Sequence, residues 1–412
     1  MSGRLAAVRE EARRAFEETG LPTTRLEEWK YTDVKRAVAP FADALLADTL
    51  AEPGVVDADW LYAQLLPGDM PRLVFVDGQF APMLSGFASL PAAVSATAFS
   101  ALDDAELSLA QGPLVNGFTH LNLACFRDGA VIDVAADVNA PIYLVFVDSG
   151  AGAVSHLRNH IHLRAAASVI EHYIGTGNTP GFTNIVTDIE LDEDAVCTHY
   201  RLQQESAKQL HIGRVHVRQA RGSRFDSHAM ALGASLSRTD IHVEMQGEGA
   251  SCTLNGLYLT AGRQHTDHHT RVDHLVPHCT SREYYRGVLD GRSRAVFNGK
   301  VVVHEQARKT DAQQSNANLL LSQYAEVDTK PELEIYNDDV KCAHGATIGQ
   351  MDMEQLFYLR SRGLGEVEAR NVLIFAFADD VLMRLPLDTV RRHLEKAALA
   401  KLPHGEEIGA LV

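Results

Sequence analysis

The chain opens on a helical stripe. Leu5, Val8, Ala12 and Phe16 recur at helical steps, Ser2 stands where an N-cap belongs, and Gly20 with Pro22 ends the pattern. Residues 21–33 read as a loop anchored by Trp29, whose expected role is packing. From Asp33 to about Trp60 the pattern is irregular and helical. Residues 72–80 then read as a strand leading to the turn at Asp77-Gly78, a strong hairpin signal.

From about Phe118 the period shortens to two. Ile142 to Val147, His160 to Leu163 and Ser168 to Ile174 follow one another as short strands. Ile241, Val243 and Met245 share one face, with His242, Glu244 and Gln246 on the other. Ala250, Cys252 and Leu254 resume the alternation after Gly247-Glu248-Gly249. So many strands in succession imply a mainly β body: a sandwich, barrel, propeller or β-helix. The turns are brief and polar, as at Gly233-Ala234-Ser235 and Asp290-Gly291-Arg292-Ser293, and the series runs on without a break. Both features favour a β-helix, although no strict repeat is visible.

After Gln350 the helical period returns. Asp352 and Gln355 form a capping-box spacing, and Gly363 stops that helix. A second helix from Glu366 to about Leu385 carries Val367, Val372, Ile374, Phe375, Ala378, Val381 and Leu382, an apolar set wide enough to bury more than one side. A third spans about Asp388 to Leu399. These helices are expected to cap the end of the β body, with an exposed face left for a partner. The expected division is 1–116, helical with a hairpin; 117–348, the β core; and 349–412, helical.

Composition narrows the function. The chain has 412 residues, 46% of them hydrophobic, and a formal net charge of −16. That balance disfavours nucleic acid and anionic membrane as partners. Glu10 and Glu11 fall where a signal peptide has its apolar core, and the run from Val372 to Ala378 is too short to span a bilayer. A cytoplasmic protein is expected. The five cysteines, Cys125, Cys197, Cys252, Cys279 and Cys342, are scattered and odd in number, which excludes a disulfide framework or a zinc ribbon. Arg294 stands where a P-loop needs its first glycine before Gly299-Lys300, and Val301 where it needs Ser or Thr. Gly175-Thr176-Gly177 is no dinucleotide fingerprint either, so no nucleotide site is expected on this chain.

Two stretches carry candidate chemistry. In an extended strand Val340, Cys342 and His344 line one face, with Lys341 and Ala343 on the other. A sulfur and an imidazole nitrogen suit iron, zinc and Fe–S clusters, but two ligands leave a site incomplete without a second chain. Residues 264–279 hold His265, His268, His269, His274, His278, Asp267, Asp273 and Cys279. The tract has neither the glutamate of a metalloprotease helix nor the cysteine pair of a zinc finger, so an exposed polar ladder is expected. The competing reading is a metal-dependent enzyme built on the His265–His278 cluster. A ligand-free structural homodimer is a third.

The blocks at residues 290–300, 309–321 and 325–351, together with the loop at 21–33, resemble the SufB/SufD family of iron–sulfur cluster assembly proteins. The length, the loop around Trp29 and the Cys-Ala-His form at 342–344 resemble SufD-type rather than SufB-type members. The resemblance implies a right-handed parallel β-helix flanked by helical ends, and a scaffold rather than an enzyme. It implies pairing with a SufB-type subunit through the β-helix ends, or a homodimer in isolation. It further implies a SufC-type ATPase on the C-terminal helices and a transient Fe–S cluster shared across the subunit interface. His344 would be a ligand or near-ligand of that cluster, with Cys342 the weaker candidate.

Overall fold

The computed structural model describes residues 3–47, 52–102, 113–177 and 179–402; Ser2, the expected cap of the first helix, lies outside them. Helices α1 (Gly3–Thr19), α2 (Val34–Val38), α3 (Ala58–Gln64) and α4 (Gly117–Cys125) belong to the N-terminal part. Among the described residues nineteen strands follow or interleave with them and divide between two sheets. One sheet holds β1 (Arg72–Val76), β2 (Gln79–Phe80), β5 (Ile142–Asp148), β7 (Ala167–Gly175), β9 (Val196–Gln203), β11 (Arg224–Ala231), β13 (Ser251–Thr260), β15 (Thr280–Leu289), β17 (Asp311–Leu320) and β19 (Lys341–Gln350). The other holds β3 (Val94–Ala98), β4 (Ala130–Val134), β6 (Val154–Leu163), β8 (Phe182–Leu191), β10 (Leu210–Gln219), β12 (Leu236–Met245), β14 (His265–His274), β16 (Arg294–Val303) and β18 (Glu326–Ile335).

From β4 onward successive strands alternate between the sheets, and each strand up to β17 pairs in parallel with the one two ahead, as β13 with β15 and β15 with β17. This is a parallel β-solenoid, so the β-helix expectation holds over sandwich, barrel and propeller. Each coil returns the chain to register after 26 to 32 positions, as Leu210 pairing with Leu236 and Arg294 with Glu326 show. The sequence hides this repeat because nothing but inward polarity and size recurs in it.

The strands from the N-terminal third join the same body. β1 pairs with β5 in parallel and with β2 across the expected turn, where Asp77 and Gly78 both have positive φ (48° and 82°). The lumen is packed by inward side chains from both sheets, among them Val169, Tyr173, Phe225, Leu254, Tyr258, Val272, Tyr285 and Phe297. Tyr285 and Tyr258 fit because Gly256 and Gly287 stand beside them; a Cβ at either glycine would lie 2.0 Å from a tyrosine ring.

The C-terminal helices α5 (Met353–Ser361), α6 (Glu366–Leu382) and α7 (Asp388–Leu399) do form. Asp352 accepts from the amides of Glu354 and Gln355, and Gly363 takes positive φ after α5. Their placement corrects the expectation of an end cap. Ile374, Ala378, Val381 and Leu382 of α6, with Val390 and Leu394 of α7, pack on Leu257, Leu259, Val288 and Leu319. Those four point outward from the flank of the first sheet, so the helices bury an apolar wall there and leave the terminal coil uncovered. None of the helices among the described residues is long and apolar enough to cross a membrane.

Candidate functional site

The last coil is where the predicted ligands lie. β19 ends the first sheet and β18 the second; each has one hydrogen-bonded neighbour, β17 and β16 respectively. The amide of Lys341 donates to the Thr310 carbonyl at 2.8 Å. Alternation along a parallel ladder then turns the amides of Cys342, His344, Ala346 and Ile348 toward the open edge.

Register fixes what stands beneath each side chain. Cys342 follows Ala312, Ser281 and Cys252 along one inward row; His344 follows Gln314, Glu283 and Leu254 along the next. Cys342 is half-buried and touches the small apolar cluster of Val301, Val303, Ala307 and Ala312. Burial pushes its thiol above the ordinary value, against a contact with the Ala312 backbone, and Asp311 adds to the rise. Such a sulfur carries less thiolate at neutral pH than a free cysteine. His344 is exposed, and its ring has no hydrogen bond to any described residue. It lines a cleft of about 450 Å³ with Gln314, Glu283 and Arg384. The structure thus brings the two predicted residues onto one face of an open strand.

The surroundings are apolar and exposed. Ile335 is 43% exposed, Tyr336 61%, Ile348 51%, and on the adjoining helix α5 Met353 is 67% and Phe357 73% exposed. A free ten-residue edge beside such side chains is a template for another strand.

Glu283 was not legible as special. It is buried in the lumen, where Thr270 Oγ1 donates to it at 2.5 Å and Gln314 Nε2 at 3.2 Å. Burial raises its pKa from 4.5 to about 7 against those two hydrogen bonds. Between the two values the folded state binds more protons than the unfolded chain, so this residue makes stability fall as pH rises from 4.5 to about 7. Glu283→Gln keeps both neighbours supplied and removes the titration. The variant is expected to unfold at higher urea than wild type at pH 8, by up to ~3 kcal/mol, with the difference vanishing below pH 4.5. Urea midpoints across that range check it. The signal that could have found Glu283 is a polar residue at the inward phase of a strand, one coil before Gln314 and two before His344.

The histidine-rich tract is not the exposed ladder expected. It forms β14, with Asp267 1% and Asp273 4% exposed. The loop around Trp29 lies over its outward face. Thr32 Oγ1 donates to Asp267 at 2.5 Å, Arg238 donates to the Glu28 carbonyl at 2.6 Å, and its guanidinium carbon lies 3.7 Å from the Trp29 ring centroid. His268 and His274 point into the lumen, and burial lowers each to about 4. The outward members are bound up in pairs: His269 with Asp267 at 3.0 Å, Arg271 and His304 with Asp273 at 2.6 and 3.1 Å. Residues His265 to His274 are split across two faces of one strand, and His278 and Cys279 lie beyond its end.

Comparison with known proteins adds the family context. The family described as SUF system FeS cluster assembly, SufBD core domain, matches residues 145–377, and the SufBD protein N-terminal region matches residues 1–142. A SufBD family iron–sulfur cluster assembly protein of Synechocystis is 36% identical over 399 residues, 91% of this chain and 86% of that protein. The iron–sulfur cluster assembly protein SufD of Escherichia coli is 32% identical over 396 residues, 94% of this chain and 90% of that protein. A chloroplastic protein of Arabidopsis thaliana, ABCI7, is 27% identical over 95% of this chain and 86% of its own length.

Proposed function

The chain belongs to the SufBD family of iron–sulfur cluster assembly proteins, and from that premise we propose that it is a non-catalytic scaffold subunit on which a nascent cluster is built. The cluster is cargo, held at the seam between this chain and a SufB-type subunit. His344 supplies one nitrogen ligand; Cys342 stands beside it as a secondary donor. The single observation carrying this reading is an exposed, unbonded imidazole on the open edge strand of the last coil.

The chemistry follows from that placement. A ring with no internal hydrogen bond turns freely to meet metal, and in its neutral form it offers a lone pair. The remaining ligands come from a partner strand laid against β19, because a closed cluster site needs more donors than this edge carries. A second copy of the chain can use the same edge, which accounts for a homodimer in isolation. The ATPase of the system docks on the C-terminal helices, where Val367 is 48% and Met383 64% exposed outside the packed stripe. The chain itself binds no nucleotide and works in the cytoplasm. The enzyme reading on the His265–His278 cluster gains no support from a tract locked in pairs and split between lumen and outer face.

Co-purification of the tagged chain from its native cell tests the assignment. A SufB-type subunit and a SufC-type ATPase are expected as stoichiometric companions. Recovery of the chain alone, or solely with itself, overturns the heteromeric reading.

A further inference from the structure

A second constellation lies on the outer face of the other sheet, on strands β10 and β12. His216 and His242 are cross-strand partners, and Glu244 follows on the same face of β12. Each offers one ligand atom, and the three atoms lie within 4.8 Å of one another. We propose that His216, His242 and Glu244 form a binding site for one divalent transition-metal ion of the Zn²⁺ or Fe²⁺ type.

Three observations carry this. His216 is 2% exposed, yet neither ring nitrogen has a directed hydrogen bond to a described residue. Its nitrogens face carboxylate oxygens of Glu244 and Asp188 at 3.3 and 3.5 Å without good hydrogen-bond geometry, which leaves a buried imidazole weakly satisfied. Its Nε2 lies 3.3 Å from Glu244 Oε1. That is long for a charge-assisted hydrogen bond, but it matches the edge of a tetrahedron with metal–ligand bonds of ~2.1 Å. Finally, each histidine has a carboxylate behind its other nitrogen. Asp273 Oδ2 is 2.7 Å from His242 Nε2, and Asp188 Oδ1 is 3.5 Å from His216 Nδ1. Metal-ligating histidines are oriented in this way, with the far nitrogen turned to an acid. This leaves His216 Nε2, His242 Nδ1 and Glu244 Oε1 as the donor set, two imidazoles and one carboxylate with further positions open. Glu244 is itself steadied by Gln246, which donates to Oε2 at 2.8 Å.

Access is available, since His242 lines a cleft of about 360 Å³ between this sheet and the loop around Trp29. One group stands in the way. Arg214 Nη2 donates to His242 Nδ1 at 3.3 Å, so a cation entering the site must displace a guanidinium. The arginine therefore weakens the metal, and removing it should do the opposite. A purely structural ion-pair network predicts no such gain.

The test is titration of the purified, chelator-treated full chain with Zn²⁺ by calorimetry and with Co²⁺ by absorption. One equivalent is expected to bind. His216→Ala and His216→Gln should each weaken binding by roughly 100-fold or more, and Asp273→Asn by roughly tenfold. Arg214→Gln should tighten it. Cys342→Ala with His344→Ala should leave it unchanged, which separates this site from the one at the open edge. Circular dichroism confirms that each variant is folded. Absence of stoichiometric binding, binding indifferent to His216→Gln, or an Arg214→Gln variant that binds no more tightly would each overturn the proposal.

Discussion

Replacing His344 by alanine is expected to abolish the chain's contribution to cluster assembly while leaving its fold intact. The side chain is exposed on an edge strand and bonded to no described residue, so its loss removes no packing and strands no buried group. Stability should therefore move by less than ~0.5 kcal/mol. The functional cost is of another order. Loss of groups that merely orient a ligand costs ~10–100-fold in metal affinity, and loss of the ligand should cost no less. Cys342→Ala should cost far less, because its burial keeps the sulfur protonated. The readout is Fe–S enzyme activity in cells that depend on this chain, together with co-purification to show that the complex survives. Undiminished assembly in the His344→Ala variant, with the complex intact, would remove this residue from the site.

Ala346→Pro is expected to separate folding from association. The amide of residue 346 points away from β17, so proline removes no bond of the chain's own ladder. It does remove one donor from the open edge and places a ring where a partner strand would lie. Lost pairing at one position is worth ~1 kcal/mol, and the ring's obstruction adds to it, so the complex should weaken by at least roughly tenfold. Thr347→Pro is the contrasting variant, since that residue faces β17 and its proline should destabilise the last coil itself. Size-exclusion chromatography of wild type and both variants with the partner subunit resolves the two effects. A complex as tight with Ala346→Pro as with alanine would show that β19 is not the docking edge.

Much of this architecture was written in the alternation of residues. The strands from Ala130 onward, the Asp77-Gly78 turn and the three terminal helices all follow from local periodicity and turn chemistry, whereas Phe118, where the strand pattern was expected to begin, lies in helix α4. What alternation could not give was depth. Asp267 and Asp273 read as polar and exposed, yet Thr32, Glu28 and Trp29 cover that face from more than 200 positions away. No local rule anticipates a contact at that separation. The same holds for the helical ends: the apolar stripe of α6 announced burial, but only the outward Leu257, Val288 and Leu319 explain why a flank was covered and the final coil was not. Cys342 and His344 were visible because chemistry concentrated on five adjacent residues. Glu283 and the His216–His242 pair were invisible because each is assembled across coils, from residues unremarkable in their own strands.

The loop that covers β14 also sets an order of events. Thr32 meets a residue 235 positions downstream, and Glu27 meets Lys330 303 positions downstream. A chain made from its N-terminus emerges with this loop long before the coils it will rest on exist. Coil can add to coil as synthesis proceeds, each template being the one before it. The loop has to wait: the clasp of Trp29 under Arg238 needs β12, and the ion pair of Glu27 with Lys330 closes only after β18 has been wound.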